Sequence, residues 1–402
     1  MRNKAQDLKK IAEGLDITPT MYKNATDKYN AIANYMAKHG IDADFYPQGS
    51  FRTGTVVRPL KDGKASNYDL DVISELKNNK RDVSPSFIKH TVGNTLKGNE
   101  VYKSKLLPED DRCWTLAYAE VENGVGFNLD VVPCVHEDKA VIETLINLKV
   151  DPMFANEAVS ITDRKSAKDY DWLGSNPSGF GKWFDDINRP FLALVEKTQR
   201  SRIFTENRNL FALEAKIEDV PDGYLRSDLQ VAIQLLKRHR DIHFLNGRNG
   251  RQLKPASVII TALTTEIARD AGPMGLLDLL KYVVNELVKY SVLLKGEKER
   301  NKLKFHYIDK HDGKWWITNP VDPDDNFADG WSDDDAKAFF RWINSVQFDA
   351  VQALPTEAGY ITRLQTSFGK DYVNKKLNLN NNDDKQNRVS SISHPTKPWR
   401  KY

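Results

Sequence analysis

The chain has 402 residues, enough for two or three compact units, and 40% of them are hydrophobic, enough to give each unit a core. Its 59 Lys and Arg against 56 Asp and Glu leave a formal charge of only +3, which excludes an extended nucleic-acid-coating surface but leaves room for a local basic pocket around a phosphate-bearing small molecule. Cys113 and Cys134 allow at most one bridge, and the sequence has neither a signal-peptide pattern at its start nor an apolar run long enough to span a bilayer. A reducing, cytoplasmic setting with no membrane partner is therefore expected.

From Gln6 to Lys38 the apolar residues recur at helical intervals, with a break near "DITPT", which predicts two helices. From Asp42 the texture changes to short β-type runs: "ADFY", "GTVVRP", "YDLDVISEL", "CWTLAYAEVE" and "GFNLDVVPCV". These predict the strands of a small antiparallel or mixed sheet. Beyond Gly174 the period is helical again, through "GFGKWFDDINRPFLALVEKTQ", "YLRSDLQVAIQLLKRHRDIHF", "PASVIITALTTEIARDA" and "GLLDLLKYVVNELVKYSVLL". The overall class is α+β. The closing stretch from Asp371 is Asn-rich and polar and is expected to form a flexible or loosely docked tail.

The most informative residues lie in "NYDLDVISEL". Asp69 and Asp71 stand two apart on a predicted strand, so their carboxylates share one face while Leu70 and Val72 point into the core. Two such charges repel unless a cation sits between them, and hard oxygen donors suit Mg²⁺, which takes one or two carboxylates plus substrate phosphates. Asp130, in "GFNLDVVPCV", is a third carboxylate framed by apolar strand residues. Three converging aspartates suit a two-metal site that activates a hydroxyl and stabilises a leaving pyrophosphate. A lone Asp-x-Asp is often just a solvated strand face. These segments, however, are embedded in Val, Ile and Leu rather than in Lys and Thr.

Upstream, "YPQGSFRTGTVVRP" closes the "ADFYP" strand with Gly49-Ser50. Glycine lets the backbone approach a phosphate closely, and successive N–H groups ahead of a helix make an anion nest, to which the hydroxyls of Ser50 and Thr53 or Thr55 add donors. This is not a Walker A loop, because no Gly-Lys-Ser/Thr follows.

A Gly-Ser turn, then Asp-x-Asp, then one Asp on a later strand resembles the nucleotidyltransferase superfamily of DNA polymerase β, poly(A) polymerases and oligoadenylate synthases. "QGSFRTGTVVRP", "NLDVVPCV", "SNPSGFGKWF", "LQVAIQLLKRHRD", "PASVIITALTTEI", "NPVDPDDNFADGW" and "KPWRKY" together look like the CD-NTases, the bacterial cyclic GMP-AMP synthase-like enzymes of CBASS anti-phage defence. The resemblance implies a polymerase β-like lobe with a small mixed sheet, packed on a helical C-terminal lobe, with the active site in the cleft between them. It divides the chain into N-terminal helices bridging the lobes (1–40), a catalytic core (41–174), a helical domain completing the nucleotide pocket (175–368) and the polar tail (369–402).

Carried over residue by residue, it implies that Asp69, Asp71 and Asp130 ligate two Mg²⁺ ions, for which Mn²⁺ can substitute, and that Gln48, Gly49, Ser50 and Thr53 line the donor triphosphate. Lys237 and Ser257 match the family's phosphate-contacting lysine and serine. Read without the family, they are a surface lysine on a basic helix face and a simple N-cap after Pro255. "NPVDPDDNFA" resembles the Asp-Pro-rich loop of oligoadenylate synthases near the base pocket, giving Asp322 and Asn326 a base-reading role; Asp/Asn/Pro clusters also simply make turns. Trp183 reads as core. His239 and His243, at i and i+4, have no further ligand nearby to complete a zinc set.

The implied activity joins ATP, GTP or other nucleoside triphosphates into a cyclic di- or trinucleotide second messenger, read by a downstream effector and open to control by a regulatory protein. A first rival is a nucleotidyltransferase acting on RNA, tRNA or protein, which would need a basic track beyond the cleft. A second is an inactive nucleotide-binding module, which would have lost a carboxylate.

Overall fold

Helical periodicity winds the N-terminal stretch into α1 (Lys4–Glu13) and α2 (Pro19–Lys38). Each is opened by a side chain that accepts a free backbone N–H: Asn3 from Gln6, and Thr18 from Met21. The computed structural model describes residues 2–58, 60–61, 64–65, 67–122, 125–198, 226–245, 252–352 and 356–379. The two helices serve different cores. Leu8 and Ile11 of α1 pack into the helical half of the molecule, whereas Tyr29, Ile32 and Met36 of α2 pack against the sheet.

The sheet is built from β1 (Ala43–Pro47), β4 (Tyr68–Leu76), β5 (Trp114–Glu122), β6 (Val125–His136), β7 (Val159–Arg164) and β8 (Tyr170–Ser175). Its order is β1-β4-β6-β7-β8, and β5 also pairs with β6. β4 and β6 run parallel and the other pairs antiparallel, so the sheet is mixed. One face carries Leu70, Val72, Leu129 and Val131 against α2 and α4 (Pro85–Lys97). Period-two alternation then turns Asp69, Asp71 and Asp130 to the other face. Between β1 and β4 lie the short α3 (Gly49–Arg52) and the hairpin of β2 (Leu60–Lys61) and β3 (Lys64–Ala65). Short helices α5 (Glu100–Lys103), α6 (Lys139–Asn147) and α7 (Pro152–Ala155) fill the connections.

The helical half contains α8 (Pro177–Thr198), α9 (Asp228–Leu245), α10 (Ser257–Ala271), α11 (Leu276–Lys289), α12 (Asp333–Val346), α13 (Glu357–Phe368) and α14 (Lys370–Leu377). Two small hairpins precede α12: β9 (Asp309–His311) with β10 (Lys314–Trp316), and β11 (Thr318–Asn319) with β12 (Asp322–Asn326). α9 is buried along nearly its whole length, so it forms the axis of this core.

Two expectations are corrected. "GTVVRP" is not a strand: Gly54–Arg58 is a loop whose carbonyls are taken by α9, Thr53 and Val56 accepting from Gln230 and Gln234 at 2.9 and 2.8 Å. The segment assigned to a loose tail begins as α14, whose Val373 and Leu377 are buried in the helical core and whose Tyr372 hydroxyl donates to the Ile11 carbonyl of α1. Polar composition concealed the apolar pair spaced one turn apart. The rest of that stretch, from 380 on and including "KPWRKY", lies outside the described residues.

Candidate active site

A cavity of about 580 Å³ opens between the sheet and the helical half. The parallel pairing of β4 with β6 sets Asp71 directly beside Asp130, and Asp69 beside Asn128. Asp69 and Asp71 reach the cavity wall; Asp130 stands behind them, off the wall. Asp130 Oδ1 accepts from the Thr115 hydroxyl at 2.5 Å, and Asp69 Oδ1 accepts from the Asn128 amide at 3.1 Å. Burial, then repulsion from Asp130 and Asp69, pushes the Asp71 carboxyl up to about 7. Burial also raises Asp130, against the opposing pull of the Thr115 hydrogen bond.

Crowded carboxylates driven toward the neutral form are what a site lacking its countercharge looks like, and an all-oxygen donor set fits a hard divalent cation. The set is not closed into a cage: among the described residues no three His, Cys, Asp or Glu side chains sit together closely enough to hold a metal. Thr115 and Asn128 each occupy an oxygen of the outer two aspartates.

The glycine turn lies against the same carboxylates. The Gln48 N–H donates to the Asp71 carbonyl at 2.8 Å, and Gly49 takes φ +63° so close to β4 that a Cβ built there would meet Asp71 Oδ2 at 2.8 Å. Only glycine fits. Gln48, Gly49, Ser50 and Thr53 all line the cavity. The Thr53 hydroxyl, though, is turned inward and donates to the Gly49 carbonyl at 3.1 Å.

Lys237 also lines the cavity and is 4% exposed, which rules out a solvated lysine on a basic helix face. Its Nζ donates to Thr55 Oγ1 at 2.9 Å, and Thr55 Oγ1 lies 2.9 Å from Thr53 Oγ1. With the single Thr53 hydroxyl proton given to the Gly49 carbonyl, Thr55 is left to donate to Thr53, and the chain runs from Lys237 through Thr55 and Thr53 to that carbonyl. Burial, with Arg240 one turn on, lowers Lys237 to about 7.

Ser257 lines the cavity as the first residue of α10, while Ala256 holds the N-cap position, so it is not a simple cap. Its hydroxyl accepts from Arg240 Nη1 at 3.0 Å. Arg240 also binds the Pro255 carbonyl and Asp241, so it fixes the start of α10.

At the far end, β11 and β12 bring Asn319, Asp322 and Asp325 onto the wall beside Phe180 and Phe327. Asn326 is not among them. Its Oδ1 accepts from the Ile317 and Ala328 N–H groups, both at 2.9 Å, and its Nδ2 donates to the Trp315 carbonyl at 2.8 Å. The base-reading role given to Asn326 is therefore corrected: its amide is spent on the loop. His239 is likewise spent, accepting from the Trp342 indole and facing Asp349, and Trp183 is core.

Arg240, Asp241, Lys254, Asn319 and Asp325 escaped the sequence reading. Arg240 and Asp241 sit in the same "LKRHRD" run that carried Lys237, and the i+3 spacing to Arg240 marks a shared face.

A family model described as the Second Messenger Oligonucleotide or Dinucleotide Synthetase (SMODS) domain matches residues 1–188, which carry the glycine turn and all three aspartates. In this stretch, and in its fold, the chain is similar to the CD-NTases. It is 29% identical over 349 residues to a c-di-GMP synthase of Roseivirga ehrenbergii, covering 84% of this chain and 76% of that relative. It is 27% identical over 274 residues to the cyclic dinucleotide synthase CdnG of Bradyrhizobium diazoefficiens, covering 65% of this chain and 58% of the relative. The solved structure of that CD-NTase in complex with GTP superposes with a TM-score of 0.60 over 93% of this chain and 96% of the other, at 22% identity. The chain thus has the polymerase β-like fold that the resemblance implied. No helix among the described residues is long and apolar enough to cross a membrane.

Proposed function

We propose that this chain is a CD-NTase and joins two nucleoside triphosphates, GTP among them, into a cyclic dinucleotide second messenger for anti-phage signalling. The observation that carries it is the gathering, around one cavity, of the Asp69–Asp71 pair and its glycine turn with Lys237 and Ser257. The relatives' guanine-containing product and ligand support GTP as a substrate.

In this reading, the turn at Gln48–Ser50 and the Lys237 ammonium hold the donor triphosphate, with Ser257 hydrogen-bonding from the start of α10. Lys237 charges fully when phosphate supplies the countercharge it lacks. Asp69 and Asp71, with Asp130 behind them, would hold Mg²⁺ or Mn²⁺, which when bound lowers the pKa of an attacking hydroxyl and neutralises phosphate charge. The Thr115 hydroxyl keeps Asp130 from swinging, and the Asn128 amide does the same for Asp69. An acceptor ribose hydroxyl attacks the donor α-phosphate in line, pyrophosphate leaves, and a second such transfer closes the ring. Positioning and charge do most of the work. A downstream effector would read the product.

Incubating the purified chain with α-labelled ATP, GTP, CTP and UTP plus Mg²⁺ or Mn²⁺, then with phosphatase, tests this. A phosphatase-resistant product is expected, and it should vanish in the Asp69→Asn, Asp71→Asn double variant while the melting transition survives. Label appearing only on added RNA or protein would transfer the reading to a macromolecular acceptor.

A further inference from the structure

We propose that Asp325, oriented by Asn319, reads the nucleobase in this cleft and selects guanine. The inference rests on the nucleotidyltransferase reading above.

The cavity has two chemically distinct ends. One holds Asp69, Asp71, Lys237 and Ser257 and takes the charged part of a nucleotide. At the other, Phe180 and Phe327 pack edge to face, ring centroids 6.3 Å apart, and give the wall apolar surface. β12 delivers Asp325 to that same end, two residues before Phe327.

The neighbouring polar residues are less available. Asn326 is committed to three backbone groups. Asp322 is only half-exposed at the start of β12. Asp325 differs. It is exposed on the cavity wall, and its Oδ2 accepts from Asn319 Nδ2 at 3.0 Å. Asn319 is only 8% exposed, and its Oδ1 accepts from the Val321 N–H at 3.1 Å. That second bond fixes which way the amide faces, so its donor must point at Asp325. The result is a carboxylate held in place on one side and open to the cleft.

A carboxylate accepts hydrogen bonds and donates none. Guanine presents two adjacent donors, N1–H and the 2-amino group, matching the two oxygens of one carboxylate. Adenine sets an acceptor, N1, beside its amino group, and cytosine does the same with N3. Uracil has one N–H between two carbonyls. Guanine is therefore the base this end rewards, and the others leave a lone pair facing a charge.

The test uses the full chain and measures two things: equilibrium binding of non-hydrolysable GTP and ATP analogues, and initial rates with GTP, ITP and ATP. Tighter binding of the GTP analogue is expected, with ITP, which lacks the 2-amino group, intermediate in KM. Asp325→Asn and Asp325→Ala, both on an exposed side chain, should weaken the GTP analogue by about tenfold while leaving the ATP analogue and the melting transition unchanged. Asp324→Asn, next in sequence but off the wall, should behave as wild type. An unchanged GTP-to-ATP ratio in both Asp325 variants, or equal binding of the two analogues by the wild type, overturns the inference. Guanine-selective binding that Asp325 controls, without any cyclic product, would uphold it and sink the synthase reading instead.

Discussion

Gly49 is where a substitution would reach the carboxylates most directly. Its φ of +63° and the 2.8 Å approach to Asp71 leave no room for a side chain, so Gly49→Ala must either strain the turn or displace the carboxylate. The backbone conformation alone costs about 1–2 kcal/mol, and misplacing a catalytic group can cost about 10²-fold in rate. Both are read from melting and turnover; wild-type turnover in Gly49→Ala would show that the turn does not position Asp71. Lys237 carries a pH signature. Its folded pKa of about 7 lies below the ordinary 10.5, so between those values the unfolded chain holds the extra proton and stability rises with pH. The cost of burying it is full below about pH 7. Lys237→Met should therefore gain in melting temperature over wild type as pH falls from 10 to 7, hold that gain below 7, and bind nucleoside triphosphates more weakly. A gain that does not vary with pH would refute the buried-ammonium description. The aspartate pair was legible because strand alternation is local. The burial of Lys237 was not, because a charged run on a helix looks the same whether its neighbours are water or the loop at Thr55.

Among the elements, α9 has the most consequential face. Gln230, Gln234 and Lys237, at i, i+4 and i+7, form a polar stripe on a helix that is otherwise core, and that stripe takes the place of a neighbouring strand for the loop from Thr53 to Val56. This explains the misreading of "GTVVRP": β-branched residues suggested a strand, but a sequence does not say whether its carbonyls will meet backbone or side-chain donors. Gln234→Leu leaves the buried Val56 carbonyl without its partner and should cost about 1–3 kcal/mol of stability. Because that loop leads back to Gly49, the variant should also raise the KM for nucleotide more than it lowers kcat. Unaltered KM would mean the stripe is structural only. The strands of β4, β5 and β6 were readable from alternation, whereas β7 and β8 escaped notice, lying in a stretch whose charged turn residues from Arg164 to Asp169 mask the period.

At the scale of the molecule, the halves are joined by more than the chain. Arg226, ahead of α9, pairs with Asp16, between α1 and α2, at 2.7 Å, with both side chains nearly buried. Arg52 of α3 reaches Asp185 of α8, also at 2.7 Å. Arg226→Met strands the Asp16 carboxylate and should cost about 3 kcal/mol or more, seen as a lower melting temperature. A separate early transition for one half would show that the halves unfold independently.

The segment from Gln48 to Val56 is stitched to β4 at one end and to α9 at the other. The two walls therefore cannot gape like a hinged jaw without tearing that seam. Any widening of the cleft has first to release the Gln230 and Gln234 side chains from that segment's carbonyls.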